Sequence, residues 1–198
     1  MTTQTIDPLL NSSDKSESPD FQQTMQQAHI GATTGSETSP SLQGQAWYVP
    51  AGTGAAYWGP GNLMTFLATG KETGGAYFLS EISVPPGGGP PPHIHHREDE
   101  SFHVLEGQLT IQVGGDTITA LPGDFATLPR GIAHSFKNNG DSPAKALVLI
   151  APAGLENYFA EVFDPAVDRS VPPPPSKELI ARALAAAPRY GLVLLPPA

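Results

Sequence analysis

Three histidines and one carboxylate have types and spacings that suit metal chemistry. His93 and His95 stand two apart in PPPHIHHREDE, the spacing that puts two side chains on one face of a β-strand. Glu100 follows after four residues, and His134 comes after a hairpin's length of alternating chain. Imidazole nitrogens with a carboxylate oxygen suit a first-row divalent ion, and four such ligands leave positions open for water or substrate. The reading is one divalent transition metal ion held by His93, His95, Glu100 and His134 inside a small β-barrel. Binding requires neutral imidazoles and an ionised carboxylate, so it should weaken in acid. His96 has the opposite parity and sits in the charged run HREDE, which puts it towards solvent. His103 alternates away from Glu100, and Glu98 is a rival carboxylate.

Short strands must carry these residues. Ala46–Val49, Leu63–Ala68 and Gly75–Val84 are apolar or alternating runs bounded by Gly and Pro, which reads as strands. Pro85 to Pro92 is Pro and Gly only, a stiff loop leading into the strand of the first histidine. Ser101–Leu105, Gln108–Val113 and Thr117–Leu121 follow, the last two alternating on either side of Gly114-Gly115-Asp116 as a hairpin does. Phe125–Leu128, Ala133–Lys137 and Ala144–Ile150 complete the run. Many short strands joined by tight turns indicate an all-β antiparallel barrel or jelly roll. The period then changes. Leu155, Tyr158, Phe159, Val162 and Phe163 recur at helical spacing, giving an amphipathic helix over Leu155–Phe163. After the extended Pro172–Pro175 spacer, Ser176 is an N-cap for a second helix over Lys177–Ala187, which Pro188 ends.

The first 45 residues differ in kind. They are rich in Ser, Thr, Gln and Asp with few large apolar residues, so they cannot bury enough surface to offset their ordering entropy. A flexible polar segment over 1–45 is expected, ahead of a barrel over 46–152 and a helical and Pro-rich region over 153–198. Phe21–Gln27 admits a short helix without requiring one.

Composition excludes several functions. The 198 residues carry a formal net charge of −9 and a pI near 4.9, which argues against nucleic-acid or anionic-membrane partners. The absence of cysteine removes disulfides, thiolate metal sites and a Cys nucleophile. The opening thirty residues have neither a basic start nor an apolar run, so no signal peptide is expected. No stretch approaches the roughly 20 apolar residues a spanning helix needs. The expected location is cytoplasmic. The 22 prolines and 21 glycines suit many short strands better than long helices.

The spacing of the whole central region resembles the cupin superfamily. Gly87, five residues, His93-x-His95, four residues, Glu100, six residues and Gly107 resemble the first cupin motif. Gly123, five residues, Pro129-x-Gly131, two residues, His134, three residues and Asn138 are similar to the second, with 15 residues between the two. The resemblance implies a double-stranded β-helix, selects Glu100 over Glu98 as ligand, and gives Asn138 a turn-stabilising role. PPPHIHHREDESFHVLEG, APAGLENYF and RYGLVLLPP resemble single-domain cupins of the quercetin 2,3-dioxygenase-like group.

What that resemblance implies about activity is specific. Three His and one Glu hold the ion, and an apolar mouth admits a flat aromatic substrate. The 3-hydroxyl of a flavonol binds at the open position, Glu100 takes its proton, and dioxygen opens the ring with loss of carbon monoxide. Met64, Phe66, Phe78, Phe102 and Phe136 are candidates for the pocket wall, with barrel core as their competing role. Ni, Co, Fe, Mn and Cu all accept the ligand set, as does Zn. The implied partners are a small-molecule substrate, dioxygen and a second copy in a homodimer. Because one fold hosts many functions, two alternatives stand beside the dioxygenase: a metal-dependent isomerase, and a metal-binding cupin that senses or binds a small molecule without turnover.

Overall fold

The computed structural model describes residues 46–173 and 176–196. The segment expected to be flexible over 1–45, with its admitted helix at Phe21–Gln27, lies outside the described residues, as does the second half of the Pro172–Pro175 spacer. The chain runs β1 (Ala56–Gly59), β2 (Asn62–Ala68), α1 (Gly70–Thr73), β3 (Phe78–Val84), β4 (His93–His95), β5 (Asp99–Glu106) and β6 (Leu109–Val113). It continues through β7 (Asp116–Ala120), β8 (Phe125–Leu128), β9 (His134–Lys137), β10 (Ala144–Ala151), α2 (Glu156–Val162), β11 (Asp164–Pro165), α3 (Lys177–Ala186) and β12 (Leu192–Leu194).

The strands form two antiparallel sheets, ordered β11-β1-β2-β3-β10-β5-β8 and β12-β4-β9-β6-β7. Alternation decides what faces inward. Along β3, Phe78, Ser80, Ile82 and Val84 are buried, and along β5 Glu100, Phe102 and Val104 are, while their neighbours are partly exposed. Phe102, Ile82, Leu109, Ile111 and Ile150 are fully enclosed between the sheets. Each such side chain contributes about 1.5–3 kcal/mol by leaving water. The β6–β7 hairpin turns through Gly114-Gly115 as expected, with Val113 opposite Asp116. Only β6 alternates in burial; β7 is an outer edge strand exposed from Asp116 to Thr119.

The expected strand at Ala46–Val49 does not form. Residues 46–50 have no regular structure, and Trp47 and Tyr48 are more than half exposed. Trp47 instead anchors the chain by its side chain, Nε1 donating to the Leu67 carbonyl at 2.7 Å. The first strand is β1, which starts ten residues further on, at Ala56.

Ser176 caps α3 as expected, its hydroxyl accepting from Leu179 N at 3.1 Å. Pro188 does not end the helical course. It sits in the first turn of a 3-10 segment, Ala187–Tyr190, where its missing N–H is not needed. The stop comes at Gly191, whose φ of 71° is open to glycine. Beyond it the C-terminal stretch supplies an edge strand, β12, to the five-stranded sheet, and β11 does the same for the seven-stranded sheet. Among the described residues no helix is long and apolar enough to cross a membrane.

Candidate metal centre

The two sheets contribute different candidate ligands. His93 and His95 point inward from β4, and His134, the first residue of β9, stands directly opposite His93 in the ladder. Glu100 comes from β5 in the facing sheet. The Pro/Gly loop that delivers β4 is held against β9 by close backbone approach. A Cβ on Gly89 would meet the Phe136 carbonyl oxygen at 2.1 Å, so only glycine fits there. Gly87 N and Asn138 N bond across the same junction, to Asn138 O and Gly88 O.

All four side chains are buried, and one ligand atom from each lies within 4.8 Å of every other. Glu100 Oε2 is 3.1 Å from His134 Nε2 and 3.9 Å from His95 Nε2. His93 Nδ1 and His134 Nδ1 each lie 2.9 Å from a backbone carbonyl, those of Pro91 and Ile132. With those nitrogens donating, the Nε2 lone pairs are turned inward, the orientation a metal ligand needs. His95 Nε2, His134 Nε2 and Glu100 Oε2 are buried without a hydrogen-bond partner of good geometry. Convergent, orphaned imidazole and carboxylate atoms fit a divalent ion.

The charge states agree. Burial depresses the His93 imidazole to about 4 against the opposing pull of Glu100, so it is neutral near pH 7. His95 is lowered by burial as well. Burial pushes Glu100 up, but His134, His95 and His93 more than offset it and leave the carboxyl below its ordinary range. Burial disfavours charge on His134, yet the adjacent Glu100 holds its proton to a raised value. Without an ion, His134 and Glu100 therefore each favour the other's charged form, and a metal binding there would displace the imidazole proton.

Residues 80–150 match the family model described as "Cupin domain". The barrel superposes on the structure of KdgF from Halomonas sp. with a TM-score of 0.50 and 17% identity, over 57% of this chain and 99% of that one. Residues 80–150 are a cupin domain. Curated relatives include quercetin 2,3-dioxygenase of Bacillus subtilis (strain 168), 30% identical over 52% of this chain and 30% of its own length. Germin-like protein subfamily 2 member 1 of Arabidopsis thaliana is 35% identical over 56% of this chain and 51% of its own. The chain thus spans about half or less of the length of these relatives.

Beside the four candidate ligands the cupin barrel opens onto a cavity of about 650 Å³. Of the five residues singled out for its wall, Met64 and Phe136 line it. Phe66, Phe78 and Phe102 do not; they belong to the packed core, where Phe78 meets Phe66 edge-on at 4.8 Å. The rest of the wall was missed in the sequence. Tyr158 and Phe159 of α2, Ile180 and Leu184 of α3, and Leu192 and Leu194 of β12 close the side away from the barrel core. The helical apolar stripe of α2 and the run Leu192–Leu195 were visible signals, but nothing local said which way they fold.

The remaining candidates separate cleanly. His96 is exposed, and His103 is half-buried on the face of β5 opposite Glu100. Glu98 is buried but does not join the ligand atoms; its Oε2 lies 3.9 Å from His95 Nδ1, on the far side of that ring. Asn138 is fully buried and binds its turn: its amide donates to Val84 O and Ser142 O at 2.8 Å and accepts from Gly140 N at 2.9 Å.

Proposed function

We propose that this cupin is a metal-dependent dioxygenase acting on a flavonol-like or other enolisable aromatic substrate, with His93, His95, Glu100 and His134 as ligands and Glu100 also as general base. The observation that carries the reading is the meeting of the buried ligand set with an apolar cavity of about 650 Å³, a size and lining suited to a flat aromatic molecule. Similarity to a quercetin 2,3-dioxygenase supports it.

The bound ion would supply Lewis-acid polarisation of an enolic oxygen and an open position to orient it. The chain's own groups do the rest. Glu100, held ionised by the surrounding histidines, accepts the proton of the substrate hydroxyl. Met64, Phe136 and the α2 and β12 side chains pack the aromatic rings and keep water from the activated carbon. Both atoms of dioxygen enter the ring-opened ester while the substrate's own C3 leaves with its oxygen as carbon monoxide, so no external reductant is needed.

The test is metal content followed by dioxygen uptake with a panel of flavonols. About one redox-active ion per chain with substrate-dependent uptake is expected. Glu100→Gln should keep part of the metal and lose uptake; unchanged turnover would remove Glu100 as the base. Metal without uptake would turn the assignment to an isomerase or to a cupin that binds a small molecule without turnover.

A further inference from the structure

The cavity contains one polar side chain that neither the metal set nor the fold uses. Asn62 opens β2 immediately after the Pro60-Gly61 turn, opposite Gly59. It is 4% exposed, and its Nδ2 is buried with no hydrogen-bond partner among the described residues. Asn62 and Met64 stand two apart on β2 and both line the cavity. The strand continues through Leu63, Met64, Thr65 and Phe66, all buried. An apolar residue would satisfy such a position, and Asn is disfavoured in strands.

Elimination sharpens the point. The other polar side chains in the wall are His93, His95, Glu100 and Tyr158. The first three converge on the ion site. The Tyr158 hydroxyl donates to the Ala183 carbonyl at 3.3 Å. Ser80 Oγ is also buried without a partner but does not line the cavity. A buried donor left unpaired costs free energy unless something occupies it.

We propose that Asn62 is the specificity-determining residue of the cavity, its amide donating a hydrogen bond to a ring hydroxyl oxygen of the substrate, remote from the enolisable hydroxyl presented to the metal site and from the carbonyl beside it. The assignment rests on the cavity being the seat of an aromatic substrate. It narrows that substrate to a flat, largely apolar molecule with two oxygen functions, one enolisable and one an acceptor for Asn62. Sites of this kind discriminate against analogues that lack the partner oxygen, because binding them leaves the buried donor unpaired.

The experiment compares quercetin with 3-hydroxyflavone, which share the 3-hydroxyl and 4-carbonyl but differ in their other ring hydroxyls. Both are titrated without dioxygen into the metal-loaded full chain, as wild type and as Asn62→Leu, which keeps the volume and removes the amide. The quercetin preference, taken as the ratio of the two dissociation constants, should fall roughly three- to tenfold in the variant, the worth of one hydrogen bond. Metal content should not change. A preference that survives Asn62→Leu overturns the proposal. If the wild type binds neither compound, the flavonol reading fails by itself, and thermal unfolding of the ligand-free chain then decides on Asn62. A higher Tm for Asn62→Leu supports an amide kept for a ligand; a Tm lower by several degrees makes it a structural residue and overturns the proposal.

Discussion

Val193→Pro should weaken metal binding without touching a ligand. β4 is three residues long and depends on its neighbours for position. On one side β9 offers only the His93–His134 pair, while on the other β12 pairs Leu192 with His95, Val193 with Ile94 and Leu194 with His93. Bonds from His96 N to Gly191 O at 2.9 Å and from Leu195 N to Pro92 O at 2.8 Å bracket this ladder. Antiparallel alternation then directs the Val193 N–H to the Ile94 carbonyl. The Val193 side chain is 40% exposed, so a change there disturbs backbone pairing far more than packing. Proline removes the donor and crowds the partner strand, costing about 2–3 kcal/mol. For a domain of this size that lowers Tm by about 4–12 °C. Loss of support behind metal ligands typically reduces affinity about 10–100-fold, which chelator competition at fixed pH measures. Val193→Thr, which keeps the donor and the branched side chain, should match wild type. A Tm that falls while metal affinity holds would refute the idea that β12 positions the histidines.

Metal affinity should also depend on pH near neutrality. His134 has its proton held above the ordinary value of 6.5, so affinity is full above that raised value and falls about tenfold per pH unit below it; a flat titration between pH 8 and 5 would count against His134 as a ligand. In the ion-free protein, the raised His134 contributes stability that is complete below 6.5 and lost as pH rises through its folded value. The lowered Glu100 contributes stability above 4.5 that is lost as pH falls through its own folded value. Between those limits both contributions are constant, whereas His93, lowered to about 4, and His95, also lowered, withdraw stability as pH falls below 6.5; thermal scans of the apo-protein should therefore show a falling Tm from pH 6.5 towards 4. Asn138→Ala removes three hydrogen bonds from a fully buried side chain and should cost about 3–4 kcal/mol, seen as a lower urea midpoint with metal stoichiometry retained in the folded protein.

The clustering of the four candidate ligands was legible because it is a matter of parity and spacing. His93, His95 and Glu100 lie on two neighbouring strand segments, and strand alternation fixes their faces whatever the tertiary path. The core strands were legible for the same reason: β3, β5 and β10 alternate or run apolar over seven or eight residues. Ala46–Val49 misled because an apolar run next to proline has strand character but no partner to pair with. The short β12 failed in the opposite way, since three residues carry too little periodicity to stand out. Its pairing with β4 joins segments almost a hundred residues apart, and no local propensity encodes that. Phe66, Phe78 and Phe102 show the limit for cavities: alternation says that a side chain points inward, not whether it meets another side chain or empty space. Asn62 escaped notice because a single amide beside a Pro-Gly turn reads as turn chemistry.

The cavity draws its two halves from different stretches of chain. The candidate ion-binding groups lie between His93 and His134, within the cupin-matched region, whereas much of the apolar wall comes from α2, α3 and β12 beyond it. On the proposed function, metal choice and substrate choice would thus be encoded largely in different stretches, with β12 serving both. Residues such as Ile180 and Leu184, which are half exposed and support no ligand strand, can change the shape of the chamber while the inorganic chemistry stays as it was. That division makes the C-terminal helix the natural ground for diversification, in evolution or in a library, because variation there reshapes the chamber without touching the four candidate ligands.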